Sequence, residues 1–380
     1  MDSQPYQLQI FFLPYMAHGH MIPTVDMARL FARRGVKATI ILTLLNAALF
    51  SKAIERDRQL GLDISIRIIK FPTAEAGLPA GCENVSSIKS LDMHENFFKA
   101  TRMLQQPIEQ LLEECHPNCL VADMMFTWAT EVADKLRIPR LFFSGTSIFA
   151  MCVFDSLKRY EPHRRVDSDF KPFIVPGLPD QIKTTRQQLP DYLKQTAENE
   201  LTKLCNQVSE SEVRSYGVLV NSFHELEPAY AEHYRKVMGS LFDFPAIQLR
   251  EIALALEASC QNFIWVVRKG ELEKHEDREE WLPEGFERRM EDVLKIGIGV
   301  GAQEWSRYAM KILLRKDDIE KAIVQLTAGE EAEEIRSRAR ELQEMARNAM
   351  EEGGSSYSDL TALLQELRAL ETSKQESAVH

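Results

Sequence analysis

Apolar positions along the first 240 residues fall into two alternating rhythms. Short apolar runs at 8–13, 36–43, 64–71, 119–123, 140–144 and 217–223 read as buried strands. Between them, 46–59, 93–114, 127–136 and 198–211 carry apolar residues at helical spacing. This alternation predicts a parallel, doubly wound α/β sheet. The first run leads into a loop holding Pro14, His18, Gly19 and His20. A helix is then predicted from near Pro23, with Val25, Ala28, Leu30 and Phe31 as its apolar positions and Gly35 just past its end. In such folds ligands sit at the carboxyl ends of the strands, so this loop is the first place to look for chemistry. A His there titrates near neutrality and can take a proton from a hydroxyl.

The rhythm fails after residue 239. Residues 176–190 (PGLPDQIKTTRQQLP) read as a surface connection, and 227–238 as a helix. Beyond it the pattern predicts a helix at 245–259, a strand at 262–268 and a short apolar strand at 296–301 (IGIGVG). Residues 317–370 read as nearly all helix, broken at Gly353-Gly354, and the polar end 372–380 reads as frayed. A self-sufficient doubly wound domain has about five or six strands, so this half looks short of core.

Composition narrows the function classes. A net charge of −11 argues against nucleic acid or an anionic membrane as partner. No apolar run reaches bilayer length and no signal-like N-terminus is present, so a cytoplasmic protein without an integral membrane segment is expected. The scattered cysteines read as buried thiols. Cys115, His116 and Cys119 lack a second pair to complete a zinc site, so no metal is expected. IGIGVG lacks the GxGxxG spacing of a dinucleotide loop, which argues against a nicotinamide enzyme. The sequon Asn84-Val85-Ser86 matters only in a secreted chain.

Four segments of the first half carry a resemblance. They are LPYMAHGHMIPTVDMARLF (13–31), CLVADMMFTWATEVADKLRIPRLFFSGTSIF (119–149), VPGLPD (175–180) and GVLVNSFHELEPAYAEHYRKVMG (217–239). Further matches follow at 239–259, 263–269, 282–290 and 353–360. Together they resemble the plant UDP-dependent glycosyltransferases of small-molecule metabolism, in family order over nearly the whole chain. The resemblance implies a GT-B architecture of two Rossmann-like domains with parallel sheets. The implied parts are an acceptor-binding domain at 1–238, an incomplete donor-binding domain at 239–360, and a C-terminal helix and tail at 361–380. It also implies transfer of a sugar, with glucose expected, from a UDP-sugar to a hydroxyl of a small apolar metabolite such as a flavonoid, phenylpropanoid or terpenoid. UDP-sugar would serve as co-substrate and no cofactor is implied.

Residue by residue, His20 stands where the family keeps its catalytic base and Asp123 where it keeps the carboxylate that orients that base. Gly19 and Ser240 fall at donor-side positions. From the residues themselves, Thr146 and Ser147, just past a strand end, could touch acceptor or donor, His18 could face the substrate, and Phe149, with Phe97, Phe98, Phe142 and Phe143, could line an apolar acceptor pocket. His18 competes with His20 as base. For Asp123 the bland alternative is a strand-end helix cap, and for the aromatics it is the core. A monomer is expected.

Two family segments are missing. The linker and first strand of the second domain are absent before Gly239-Ser240. The donor signature is also absent: the segment that begins Trp-x-Pro-Gln and contains His-Cys-Gly-Trp-Asn-Ser, then a Glu, then an acidic-Gln pair. In the family it stacks on uracil and holds the ribose, the diphosphate and the sugar. Its loss removes the convergent donors a diphosphate needs, so impaired activity is expected. The alternative is an inert paralogue or gene-model fragment that binds apolar metabolites or a partner.

Overall fold

The computed structural model describes residues 7–194, 200–238, 241–244, 316–327 and 330–379. Seven strands form one parallel sheet: β1 (Gln9–Leu13), β2 (Lys37–Thr43), β3 (Ile64–Ile69), β4 (Cys119–Asp123), β5 (Arg140–Ser144), β8 (Gly217–Asn221) and β9 (Leu241–Phe244). Their spatial order is β3-β2-β1-β4-β5-β8-β9. A small antiparallel pair, β6 (Phe173–Ile174) and β7 (Lys183–Thr184), lies apart. The helices are α1 (His18–Arg33), α2 (Leu44–Gln59), α3 (Thr73–Ala76), α4 (Leu91–Met103), α5 (Gln105–Cys115), α6 (Ala129–Leu136), α7 (Ile148–Tyr160), α8 (Asp191–Lys194), α9 (Glu200–Val213), α10 (Pro228–Val237), α11 (Lys316–Thr327), α12 (Glu330–Met350) and α13 (Ser355–Val379).

Side-chain alternation sorts the strands onto two cores. Ile10 and Phe12 of β1, with Ile40, Val121 and Phe143, face α1, α2 and α13. Phe11 and Leu13, with Ile41, Leu120 and Ala122, face α4, α5 and α6. Farther along the sheet, Phe142, Val218 and Val220 meet α7 and α10. The order reverses between β1 and β4, whose carboxyl ends lie side by side through the pairing of Leu13 with Ala122. That is the switch point where an α/β sheet opens a crevice.

All six strands predicted in the first 240 residues form, each within two residues of its expected ends. Three expectations need correction. First, α1 starts at His18 rather than near Pro23, so His18, Gly19 and His20 make up its first turn. Ala17 caps the helix through its carbonyl, which accepts from the His20 and Met21 amides at 3.0 and 2.8 Å. Pro23 is accommodated inside the helix, where it has no N–H to give the Gly19 carbonyl. Second, the helix expected over 93–114 is two helices that meet at Leu104, because Pro107 cannot donate to the preceding turn. Third, the polar end does not fray: α13 continues to Val379, with the Lys374 ammonium on the Arg137 carbonyl at 3.1 Å.

The connection 176–190 is tied down by the β6–β7 pair and buries Ile182 and Leu189 in the core beside α7. The elements expected at 245–259, 262–268 and 296–301 lie outside the described residues. Among the described residues no helix is long and apolar enough to cross a membrane, and no three His, Cys, Asp or Glu side chains group to hold a metal. The sequon is closed. Asn84 is buried, its amide donates to Asn46 Oδ1 at 2.9 Å, and its carbonyl accepts from Ser86.

Helix α13 is a structural part of the first sheet. Leu360, Leu363, Leu364 and Leu367 are buried against β1, β2 and α1. At its near end the Arg34 guanidinium stacks 3.6 Å over the Tyr357 ring and donates to the Tyr357 carbonyl at 3.1 Å. Strand β9 packs against the same helix.

Candidate active site

The site is assembled from three strand ends. His20 sits on the first turn of α1, just past β1. Asp123 is the last residue of β4. The loop Ser144–Ser147 leaves β5 and enters α7. His20 Nδ1 lies 2.8 Å from Asp123 Oδ2. The carboxylate is fully buried, whereas the His20 side chain is 19% exposed. The other carboxylate oxygen accepts the Met125 amide at 3.0 Å, which fixes the carboxylate plane. With Asp123 ionised, Nδ1 carries the proton and donates, and Nε2 is the lone-pair nitrogen.

Burial works against charge on His20. The charge of Asp123 and its hydrogen bond outweigh burial, so the His20 pKa is raised above its ordinary value. The ring is therefore a stronger base than a free imidazole and is held in one tautomer. This is the chemistry of a general base with a carboxylate behind it.

The surroundings are aromatic and close. The Tyr15 ring meets the His20 ring edge-on at 5.6 Å, and Phe126 and Phe97 stand 5.9 and 6.1 Å from Tyr15. Opposite, a side-chain carbon added at Gly145 would lie 3.6 Å from the Gly19 carbonyl oxygen and 3.9 Å from His20 Nδ1. The β5–α7 loop thus lies against the pair.

The structure brings His20, and not His18, to Asp123. Thr146 is half-buried, and its hydroxyl shares a 2.9 Å hydrogen bond with Ser144. Ser147 is the N-cap of α7 and accepts the Ala150 amide at 3.3 Å. Phe149 is in the core, edge-on to Tyr230 at 5.0 Å, and Phe142 and Phe143 are core residues as well. Ser240 lies outside the described residues. Strand β9 begins at the very next residue and pairs with β8.

Three residues of this neighbourhood escaped the sequence reading. Tyr15 packs edge-on against His20. Glu227 is buried, and its carboxylate accepts the Ile148 and Phe149 amides at 3.1 and 2.7 Å and the Ser222 hydroxyl. Arg140 opens β5, and its guanidinium lies 3.4 Å from the Asp123 carbonyl. The signal for Glu227 was its place directly before Pro228 at a helix start.

The chain is 40% identical to the scopoletin glucosyltransferase of Nicotiana tabacum, over 95% of this chain and 98% of that protein. This is a plant UDP-dependent glycosyltransferase by family. Membership in the glycosyltransferases is supported again by the UDP-glucose flavonoid 3-O-glucosyltransferase 7 of Fragaria ananassa, 40% identical over 96% and 97% of the two chains. The crystal structure of Glycyrrhiza uralensis UGT73P12 with glycyrrhetinic acid 3-O-monoglucuronide superposes with a TM-score of 0.84 at 30% identity, covering 98% of each chain. No family model matches the chain. The tobacco alignment extends over 472 positions, more than the 380 residues present here, so that glycosyltransferase carries internal residues that face gaps in this chain.

Proposed function

We propose that this chain holds the acceptor-side machinery of a sugar transfer from a UDP-sugar to a hydroxyl of a small apolar metabolite. The observation that carries the reading is the 2.8 Å pair of His20 and Asp123 at the switch point of the sheet. His20 Nε2 takes the acceptor proton as the oxygen attacks the anomeric carbon. UDP leaves from the opposite face and the centre inverts. Asp123 keeps the ring in the right tautomer and stabilises the imidazolium that forms. Tyr15 and Phe126 supply an apolar wall beside the base. No metal or separate cofactor enters the scheme; the UDP-sugar is a co-substrate.

Turnover is far below that of an intact relative in this reading. The segment that would hold uracil, ribose and diphosphate is missing from the sequence, and without it neither donor affinity nor leaving-group stabilisation is supplied. The same absence supports the second reading, an inert acceptor-binding remnant. We place 1–238 as the acceptor domain and 239–360 as the reduced donor domain, in a cytoplasmic monomer.

Calorimetry with UDP and UDP-glucose on the purified full chain separates the two readings. Saturable binding of both supports a residual transferase. A folded protein that binds neither, yet binds a flavonol, supports the remnant. Turnover of UDP-glucose with a flavonol at rates ordinary for the family would overturn the impairment.

A further inference from the structure

The closed sequon belongs to a buried network that no step of the sugar transfer uses. Asn84 lies in the connection 77–90 between α3 and α4, and Asn46 lies on the first turn of α2. Both side chains are buried, as is Thr43 at the end of β2. The Asn84 amide donates to Asn46 Oδ1 at 2.9 Å. The Asn46 amide donates in turn to the Glu83 carbonyl and to Thr43 Oγ1, each at 2.8 Å. Asn84 Oδ1 accepts the Ser86 amide at 3.0 Å and the Ser86 hydroxyl at 2.8 Å. This chain of side-chain amides runs from a backbone N–H at one end to a backbone C=O at the other. Turning either amide over would set like poles together, so a single arrangement satisfies it.

What the pair holds in place leads to the site. Val85 follows Asn84 directly, and its amide donates to the Met16 carbonyl at 2.9 Å. Val85 also packs on the core that contains Tyr15, Met16 and Ala17. Met16 stands between Tyr15, whose ring meets His20 edge-on at 5.6 Å, and Ala17, whose carbonyl accepts the His20 amide at 3.0 Å. A displacement of Met16 therefore moves the wall beside the base. We propose that Asn46 and Asn84 are positioning residues for the acceptor side of the site: their amide pair fixes residues 83–86, the Val85 amide clamps the Met16 carbonyl, and the clamp sets the Tyr15 ring against His20.

A second buried tie on α2 separates positioning from plain support. Near the carboxyl end of that helix, the buried Asp57 accepts from the Arg29 guanidinium of α1 at 2.5 and 3.3 Å. It joins α1 and α2 away from the first turn that carries His20. Loss of either tie costs stability, because each leaves buried polar groups without partners. If α2 were only a support for α1, losing either tie would act on His20 alike. If the asparagine pair works through Val85 and Met16, only its loss reaches the Tyr15 ring.

The inference rests on His20 as the base with an acceptor beside it, but its first readout needs neither turnover nor ligand. That readout is the NMR position of the His20 ring resonances in the full chain carrying labelled histidine, assigned by their loss in His20→Gln. Tyr15→Leu gives the shift that follows removal of the aromatic ring. Asn46→Ala, and the gentler Asn84→Ser, which keeps an acceptor for the Ser86 amide, are expected to move the His20 resonances in the same direction by at least about a third as much. Asp57→Ala is expected to lower the melting temperature and leave them in place. The second readout is quercetin binding by quenching of tryptophan fluorescence. Its Kd is expected to rise about fivefold in the asparagine variants and to hold in Asp57→Ala. Unmoved resonances or an unmoved Kd in folded asparagine variants would overturn the assignment, as would an Asp57→Ala variant that moves His20 as far. Unfolding of both asparagine variants would make the pair a core element alone and overturn it too. A wild type that binds no quercetin would overturn the acceptor-side reading, and the His20 resonances would still decide this inference.

Discussion

Two helices, α1 and α7, begin side by side at the carboxyl edge of the sheet, and their first turns are treated in opposite ways. The start of α7 is closed from within: Ser147 caps it and the buried Glu227 carboxylate takes two of its amides. The start of α1 has no side-chain cap and no acid in its first turn. It carries His20 in place of a side-chain cap, and the anion bonded to that side chain, Asp123, holds the imidazole and not the helix amides. Free amide groups at a helix start favour negative charge. The protein thus spends its own carboxylate to make α7 a rigid wall and leaves α1 to do chemistry. The lesson is that two equivalent positions of one fold are told apart by which donors are already satisfied.

The largest expected effect tests the open end. His20→Ala should lower whatever transfer rate the wild type shows by about 10²- to 10⁴-fold in a chain that still unfolds cooperatively, as read by product formation and thermal unfolding. A residual rate within threefold would remove His20 from the mechanism. The closed end should respond in stability instead. Glu227→Ala leaves two buried amides and the Ser222 hydroxyl without their acceptor, and should cost about 2–3 kcal/mol in denaturant unfolding.

Next in size is the pH response. Asp123 raises the His20 pKa, so a base-dependent rate should rise with pH through a midpoint above 6.5, and Asp123→Asn should move that limb to lower pH. The stability consequence has a definite sign. The favourable pairing is fully present below the unfolded-state pKa near 6.5 and fades as pH rises through the raised folded-state value. The deficit of Asp123→Asn against wild type should therefore be larger at about pH 6 than at about pH 8. A deficit that grows with pH would reverse the assignment. Smallest is Ser147→Ala, expected to cost about 1 kcal/mol, because Glu227 still serves the neighbouring amides.

Much of this contrast was legible before the structure. The strands ending in Asp123 and Ser144 are built on short apolar runs, and their bounds agree with the structure residue for residue. His20 and Asp123 were reached through the resemblance, since a lone His and a strand-end Asp carry no distinctive local pattern. The start of α1 was misread because Pro23 looks like a first-turn proline, and the backbone carbonyl of Ala17 that caps the helix leaves no trace in sequence. Glu227 and Arg140 were missed because a buried charge and a solvated one are the same letter. Only the fold brings the Arg140 guanidinium to the Asp123 carbonyl and Glu227 to the mouth of α7. The polar end of α13 was read as loose because what orders it is tertiary, the Lys374 contact to Arg137.

Helix α13 also sets a timetable for synthesis. The leucines that complete the core around β1 belong to the last described helix, and Arg34 waits for Tyr357 across 323 residues. At roughly 5–20 residues per second, that interval is about 16–65 s on the ribosome. Throughout it, the apolar groove over β1, β2 and α1 lies uncovered by these leucines. A premature stop anywhere before residue 355 would leave that groove open for good, so even a lesion far downstream of His20 is a lesion of the first sheet.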